Sequence, residues 1–100
     1  MNPDLIDEIV IDDTDRLRIK PRSKTYPMIY REALEVRWDA EGKYLYSPMP
    51  REWSYFDWFR HIIDTADPGK TDLALAGDTR WINIPDTLRH DIEEWMAQRT

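Results

Sequence analysis

The chain has 100 residues, with 20 acidic against 14 basic side chains, no cysteine, 41% hydrophobic residues and 12% aromatics. The missing cysteine excludes a disulfide scaffold and thiolate chemistry, and the apolar content excludes a disordered chain. A net charge of −6 argues against general nucleic-acid binding and favours solubility or a basic partner. The length fits one domain over residues 1–100. The start, MNPDLIDEIV, lacks the basic and apolar regions of a signal peptide, and no apolar run approaches the ~18 residues of a membrane span, so the expected location is the cytoplasm.

Residues 1–7 read as a loose lead-in. Residues 8–12 (EIVID) and 16–20 (RLRIK) alternate around Asp13-Thr14-Asp15 and predict a hairpin whose outer face is basic. Asp12, Asp13 and Asp15 lack the glycine and the closing Glu of an EF-hand loop, so turn chemistry is the preferred reading. Pro27 would suit an edge strand at residues 28–30. Residues 33–39 (ALEVRWD) set Leu34, Val36 and Trp38 on one face. The turn at 39–42 expects φ > 0 at Gly42, and KYLYS at 43–47 returns the strand.

Residues 50–66 (PREWSYFDWFRHIIDTA) hold the densest aromatic cluster. Ser54 and Asp57 have the form of a capping box, with Trp53 and Trp58 at the staple positions. Pro50 at the first helical position is a rival start. Phe56, Phe59 and Ile63 form the apolar stripe, widened by Tyr55 and Ile62. Asp67-Pro68-Gly69 ends the helix. Residues 72–76 and 79–84 around Gly77-Asp78 predict a third hairpin with a type II′ turn, with a short helix over 71–76 as the alternative. Pro85 opens a final helix with Leu88, Ile92, Trp95 and Met96 on one stripe, and Arg99 suits its C-terminal dipole. The expected fold is α+β: a mainly antiparallel sheet of five to six strands built from hairpins, with two helices packed on one face.

No motif for catalysis is present, no cofactor or metal site is implied, and the balance leans against an enzyme. Asp57, His61 and Asp64 share a helix face at i, i+4 and i+7, a weak polar cluster for which plain solvation is the simpler reading. His90 with Asp86 and Glu94 repeats it. Arg16, Arg18, Lys20, Arg22 and Lys24, followed by Tyr26 and Tyr30, form the basic run, yet the overall acidity argues against nucleic acid as a partner. Five tryptophans are many for a core this small. Trp81 and Asn83 should point away from Ile82 and Ile84, which makes Trp81 the leading interface candidate if the isoleucines are core. Trp58, Asn83 and Tyr30 join it, while Trp38, Trp53 and Trp58 are candidates to line a pocket. The function expected is a protein-interaction module of unassigned role that self-associates or binds a basic protein. The alternative is a small-ligand binder or enzyme with an aromatic-lined pocket between sheet and helices.

The stretches VRWDAEGKYLYSPMPREWSYFDWF (36–59) and TRWINIP (79–85) resemble the small orphan proteins encoded by integron gene cassettes and related uncharacterised bacterial families. That resemblance implies a compact cytoplasmic bacterial protein of unassigned role and transfers no catalytic residue.

Overall fold

The structure, a computed structural model, describes residues 3–47 and 53–99. The rival helix start at Pro50 lies outside them. The elements run β1 (Asp4–Ile11), β2 (Leu17–Pro21), a 3-10 turn (Ile29–Arg31), β3 (Arg37–Asp39), β4 (Tyr44–Tyr46), α1 (Tyr55–Ala66), β5 (Leu73–Ile82) and α2 (Asp86–Gln98). The five strands form one sheet in the order β3-β4-β2-β1-β5. Every pairing is antiparallel except that of β1 with β5. Both helices pack on one face, as the hydrophobic pattern implies.

The register draws one apolar row across all five strands: Trp38, Leu45, Ile19, Ile9 and Trp81. Its three middle members are fully buried, and the two tryptophans close the ends half-buried. Phe59, Ile62 and Ile63 of α1 and Ile92 of α2 meet this row and are fully buried too. Each such side chain contributes roughly 1.5–3 kcal/mol through loss of apolar surface to water. The start of α1 follows its capping chemistry. The Ser54 hydroxyl accepts from the Asp57 amide at 3.1 Å. Trp53 and Trp58 staple the entry, with ring centroids 4.6 Å apart.

Four expectations are corrected. First, β1 begins at Asp4, so residues 4–7 are not a loose lead-in. The Asp4 carboxylate holds the amides of Ser23 and Lys24, and its own amide donates to Asp72 O at 2.8 Å. Second, residues 28–30 form no edge strand. The amides of Arg31 and Glu32 donate to Met28 O and Ile29 O, closing a 3-10 turn instead. Because β3 starts only at Arg37, Leu34 sits in a loop, 70% exposed, rather than inside with Val36. Third, the left-handed conformation at the β3–β4 turn falls on Lys43 (φ 57°) and not on Gly42. Gly42 is required for a different reason: a Cβ there would overlap the Tyr44 ring.

The fourth correction is the largest. The stretch 72–84 forms neither a hairpin nor a helix but carries one long strand, β5 over Leu73–Ile82, laid parallel to β1. Gly77 does not adopt the positive φ that a type II′ turn demands. The chain instead bulges: β5 takes five steps from Leu75 to Arg80 while β1 takes two from Ile6 to Glu8. Thr79 pins the bulge, its buried hydroxyl donating to Ile6 O at 2.7 Å and accepting from the Ala76 amide at 2.9 Å.

A buried ion pair ties β5 to the helices. Asp67 ends α1, fully buried, and its carboxylate accepts from the amides of Thr71, Asp72 and Leu73 at 3.0–3.1 Å. The Arg99 guanidinium reaches back from the end of α2 and lies 3.4 Å from the Asp67 carboxylate while donating to Asp67 O at 2.7 Å. Arg99 therefore does more than offset a helix dipole.

Candidate functional site

The residues singled out from sequence spread over the molecule. Asp57, His61 and Asp64 do share a helix face, but each turns to its own partner. Asp57 pairs with Arg60, His61 Nε2 lies 3.6 Å from Glu35 Oε2, and Asp64 binds Arg99. Arg60 and the Ser54 cap hold the Asp57 carboxyl below its usual range. Among the described residues, no group of three or more His, Asp or Glu side chains is arranged to hold a metal ion. His90 stands exposed beside Glu94 at 3.3 Å.

Trp81 is not on the outer surface. It pairs in register with Ile9 on the helix side, and the Arg89 guanidinium of α2 covers its ring 4.9 Å from the centroid. Ile82, not Trp81, faces outward at 39% exposure. The outward assignment assumed that Ile82 and Ile84 are core; Ile82 is exposed, and pairing with Ile9 turns Trp81 inward instead. Trp58 is buried at 7% exposure with the core. Trp38 packs edge-on to Tyr26 at 5.8 Å, and Trp53 lies beside Trp58 and His61. Asn83 is exposed with φ 57°, and its amide donates to Ile11 O at 3.2 Å. Tyr30 is exposed at 41%.

Two surfaces stand out that sequence reasoning did not assemble. The first is the free edge of β5, the outermost strand on its side of the sheet. Leu73, Ala74 and Leu75 of this edge, with Glu93, Met96, Ala97 and Arg99 of α2, line a concavity of about 340 Å³. A second concavity of about 470 Å³, between Pro3, Gly69, Lys70 and Leu73, continues it. No strand covers this uncharged edge, although the Leu73 and Ala76 amides are already bonded to Asp67 and Thr79, and an outer strand with an apolar trough beside it is a place where another strand can add.

The second surface is the sheet face that carries no helix. The register sets Arg37, Tyr46, Arg18, Val10 and Ile82 in one row across five strands. Alongside run Tyr44, Lys20, Glu8 and Arg80, and a shallow concavity of about 280 Å³ lies among them. Arg18 stacks 4.5 Å over the Tyr44 ring and Arg16 lies 5.8 Å over Tyr46. Glu8 is paired with Arg80, and Asp12 with Arg18 at 2.6 Å. Burial alone would raise the Asp12 pKa, but the Thr14 hydroxyl, the amides of Arg16 and Thr14 and the Arg18 guanidinium outweigh it and hold it at about 2. The sequential basic run is thereby divided. Arg22 pairs with Asp7 and Asp78, Lys24 with Asp72, and Tyr26 turns inward, where burial first and then Asp72, Asp4 and Asp67 push its hydroxyl pKa up.

These features describe a small two-layer α+β protein with a bare sheet face and, at β5, a long outer strand beside an apolar trough. The sequence model of the family described as "Integron Cassette Protein Hfx_Cass5" matches residues 4–78. The solved structure titled "Structure from the mobile metagenome of North West Arm Sewage Outfall: Integron Cassette Protein Hfx_Cass5" is 39% identical, covering 97% of this chain and 98% of that one, with a TM-score of 0.47. The chain belongs to the Hfx_Cass5 integron cassette protein family, as its resemblance in sequence implied. A comparison with curated proteins gives no match. Among the described residues, no helix is long and apolar enough to cross a membrane.

Proposed function

We propose that this protein is an interaction module that associates with a second copy of itself through the β5 edge. The observation that carries the reading is the combination of an uncharged strand edge that no other strand covers, Leu73 to Ala76, with the apolar trough between it and α2. Edge-to-edge addition joins backbone amides to carbonyls, while the trough receives alternate side chains. The edge is also complementary to itself. Lys70 precedes the apolar run and Asp78, which also holds Arg22 and is exposed, follows it, so antiparallel pairing about a two-fold axis sets the lysine of each copy toward the aspartate of the other. The bulge at Gly77–Thr79 limits the addition to a short stretch, which favours a closed pair over a growing fibre.

Light scattering coupled to size exclusion at micromolar concentrations tests this. A dimer is expected for the native chain. Ala74→Arg or Ala97→Glu, both at positions not fully buried, is expected to return it to a monomer with an unchanged far-ultraviolet circular dichroism spectrum. A monomer for the native chain at about 100 μM, where a dimer of biological affinity would already have formed, removes the proposal. So does a dimer insensitive to both substitutions.

A further inference from the structure

We propose that the bare sheet face binds single-stranded nucleic acid. This goes beyond self-association and uses none of the β5 edge residues Leu73 to Ala76. The protein as a whole is acidic, but its charge is unevenly placed: Arg16, Arg18, Lys20 and Arg37 converge on the β3-β4-β2 half of this face, around Tyr44 and Tyr46. The acids nearest them are already engaged. Asp12 is tied to Arg18 and its own turn, and Asp39 accepts from the amides of Glu41 and Gly42 and from Tyr44. Glu8, in register with Lys20, is taken by Arg80, so among the described residues Lys20 and Arg37 form no ion pair.

Planar side chains interleaved with cations on an open sheet meet both demands of a single strand. Its phosphates need fixed positive charge, and its unstacked bases need flat surfaces, which tyrosine rings and arginine planes supply regardless of base identity. An acidic protein segment would use the cations but gain nothing from the Tyr44 and Tyr46 pair, whose centroids lie 5.7 Å apart edge to face. A duplex fits less well, because a broad sheet does not enter a groove as a helix or two-stranded ribbon does.

The test is fluorescence anisotropy of the full chain with labelled oligothymidylate and oligouridylate of about 12 nucleotides, within the span a small sheet surface covers. Binding is expected at low salt. With about three phosphate contacts, log K should fall against log salt with a slope of roughly −2. Lys20→Glu/Arg37→Glu is expected to weaken binding about tenfold or more, and Tyr46→Leu roughly tenfold. Arg89→Glu, on the opposite layer, should leave it unchanged. Amide shifts in a 15N spectrum should cluster on β2, β3 and β4. Lack of binding to either oligonucleotide at low salt overturns the proposal. So does equal binding by the double variant, or tighter capture of a polyglutamate peptide than of either strand.

Discussion

β2 and β5 flank the same strand, β1, and they got there by different routes. β2 follows β1 across a five-residue turn, and its pairing is written into that turn. Asp12 Oδ1 accepts from the amides of Thr14 and Arg16 and from the Thr14 hydroxyl, closing the loop with contacts no more than four residues apart. β5 arrives some sixty residues later, after α1, and runs parallel. A local turn delivers the chain to it, with Asp67 gathering the amides of Thr71, Asp72 and Leu73. The placement beside β1 rests on distant contacts, Arg99 behind Asp67 and Thr79 reaching Ile6 O. One side of the sheet is thus held by exposed local turn chemistry and the other by a turn on a buried carboxylate joined to polar groups from distant parts of the chain.

The largest break in this symmetry should come from Asp67→Ala. It leaves three backbone amides without their acceptor and takes one of two carboxylates from the buried Arg99, which keeps Asp64, and is expected to cost about 3–5 kcal/mol in urea denaturation. Hydrogen exchange should show β5 losing protection before β2. Equal loss on both sides would deny Asp67 its special role in docking β5.

Thr79→Val keeps the shape but unmakes two hydrogen bonds in the bulge, one of them to a buried carbonyl. A loss of about 1–3 kcal/mol is expected from equilibrium unfolding. No loss would mean that the bulge holds by packing alone.

On the other side, Asp12→Asn should cost about 1–2 kcal/mol at neutral pH once solvent screening is allowed for. The folded carboxyl titrates at about 2, below its unfolded value of 3.8. Its contribution is therefore complete above about pH 4–5 and disappears as pH falls through 2. Unfolding curves of the native chain and the Asp12→Asn variant should differ at pH 7 and converge toward pH 2. A constant difference across that range would contradict the assignment.

The smallest effect is the most diagnostic of topology. Gly77 has no positive φ, and a Cβ there meets nothing within 4 Å. Gly77→Ala should be neutral or stabilise by about 0.4–1 kcal/mol through the unfolded chain. In a type II′ hairpin the same change would be plainly destabilising, so thermal melting decides between the two topologies.

Much of the fold could be read from the residues in order. The Ser54 cap, the Trp53–Trp58 staple, the stripe through Phe59, Ile62 and Ile63, the first hairpin and the β3–β4 turn are local features, each set by a few neighbouring residues. The candidate surfaces were far less legible. Trp81 was assigned outward on the premise that Ile82 and Ile84 are core, and alternation along a strand cannot report which of its two faces the helices will cover. The basic run looked continuous in sequence because spacing does not show that Asp7, Asp78 and Asp72 will take Arg22 and Lys24 out of it. Nor does it show that Tyr44 and Tyr46 will replace Tyr26 and Tyr30 as the aromatics beside Arg16 and Arg18.

By itself the sequence determined the class of the protein, its helices, its antiparallel hairpins and its family. All of these depend on periodicity, capping and turn chemistry over short distances, or on direct similarity of residues. The tertiary structure decided the parallel placement of β5, the inward turn of Trp81, the Asp67–Arg99 pair and the grouping of cations with tyrosines on the bare face. Those depend on which distant strand supplies the unpaired amides and carbonyls with partners, and on which side of the sheet the helices cover.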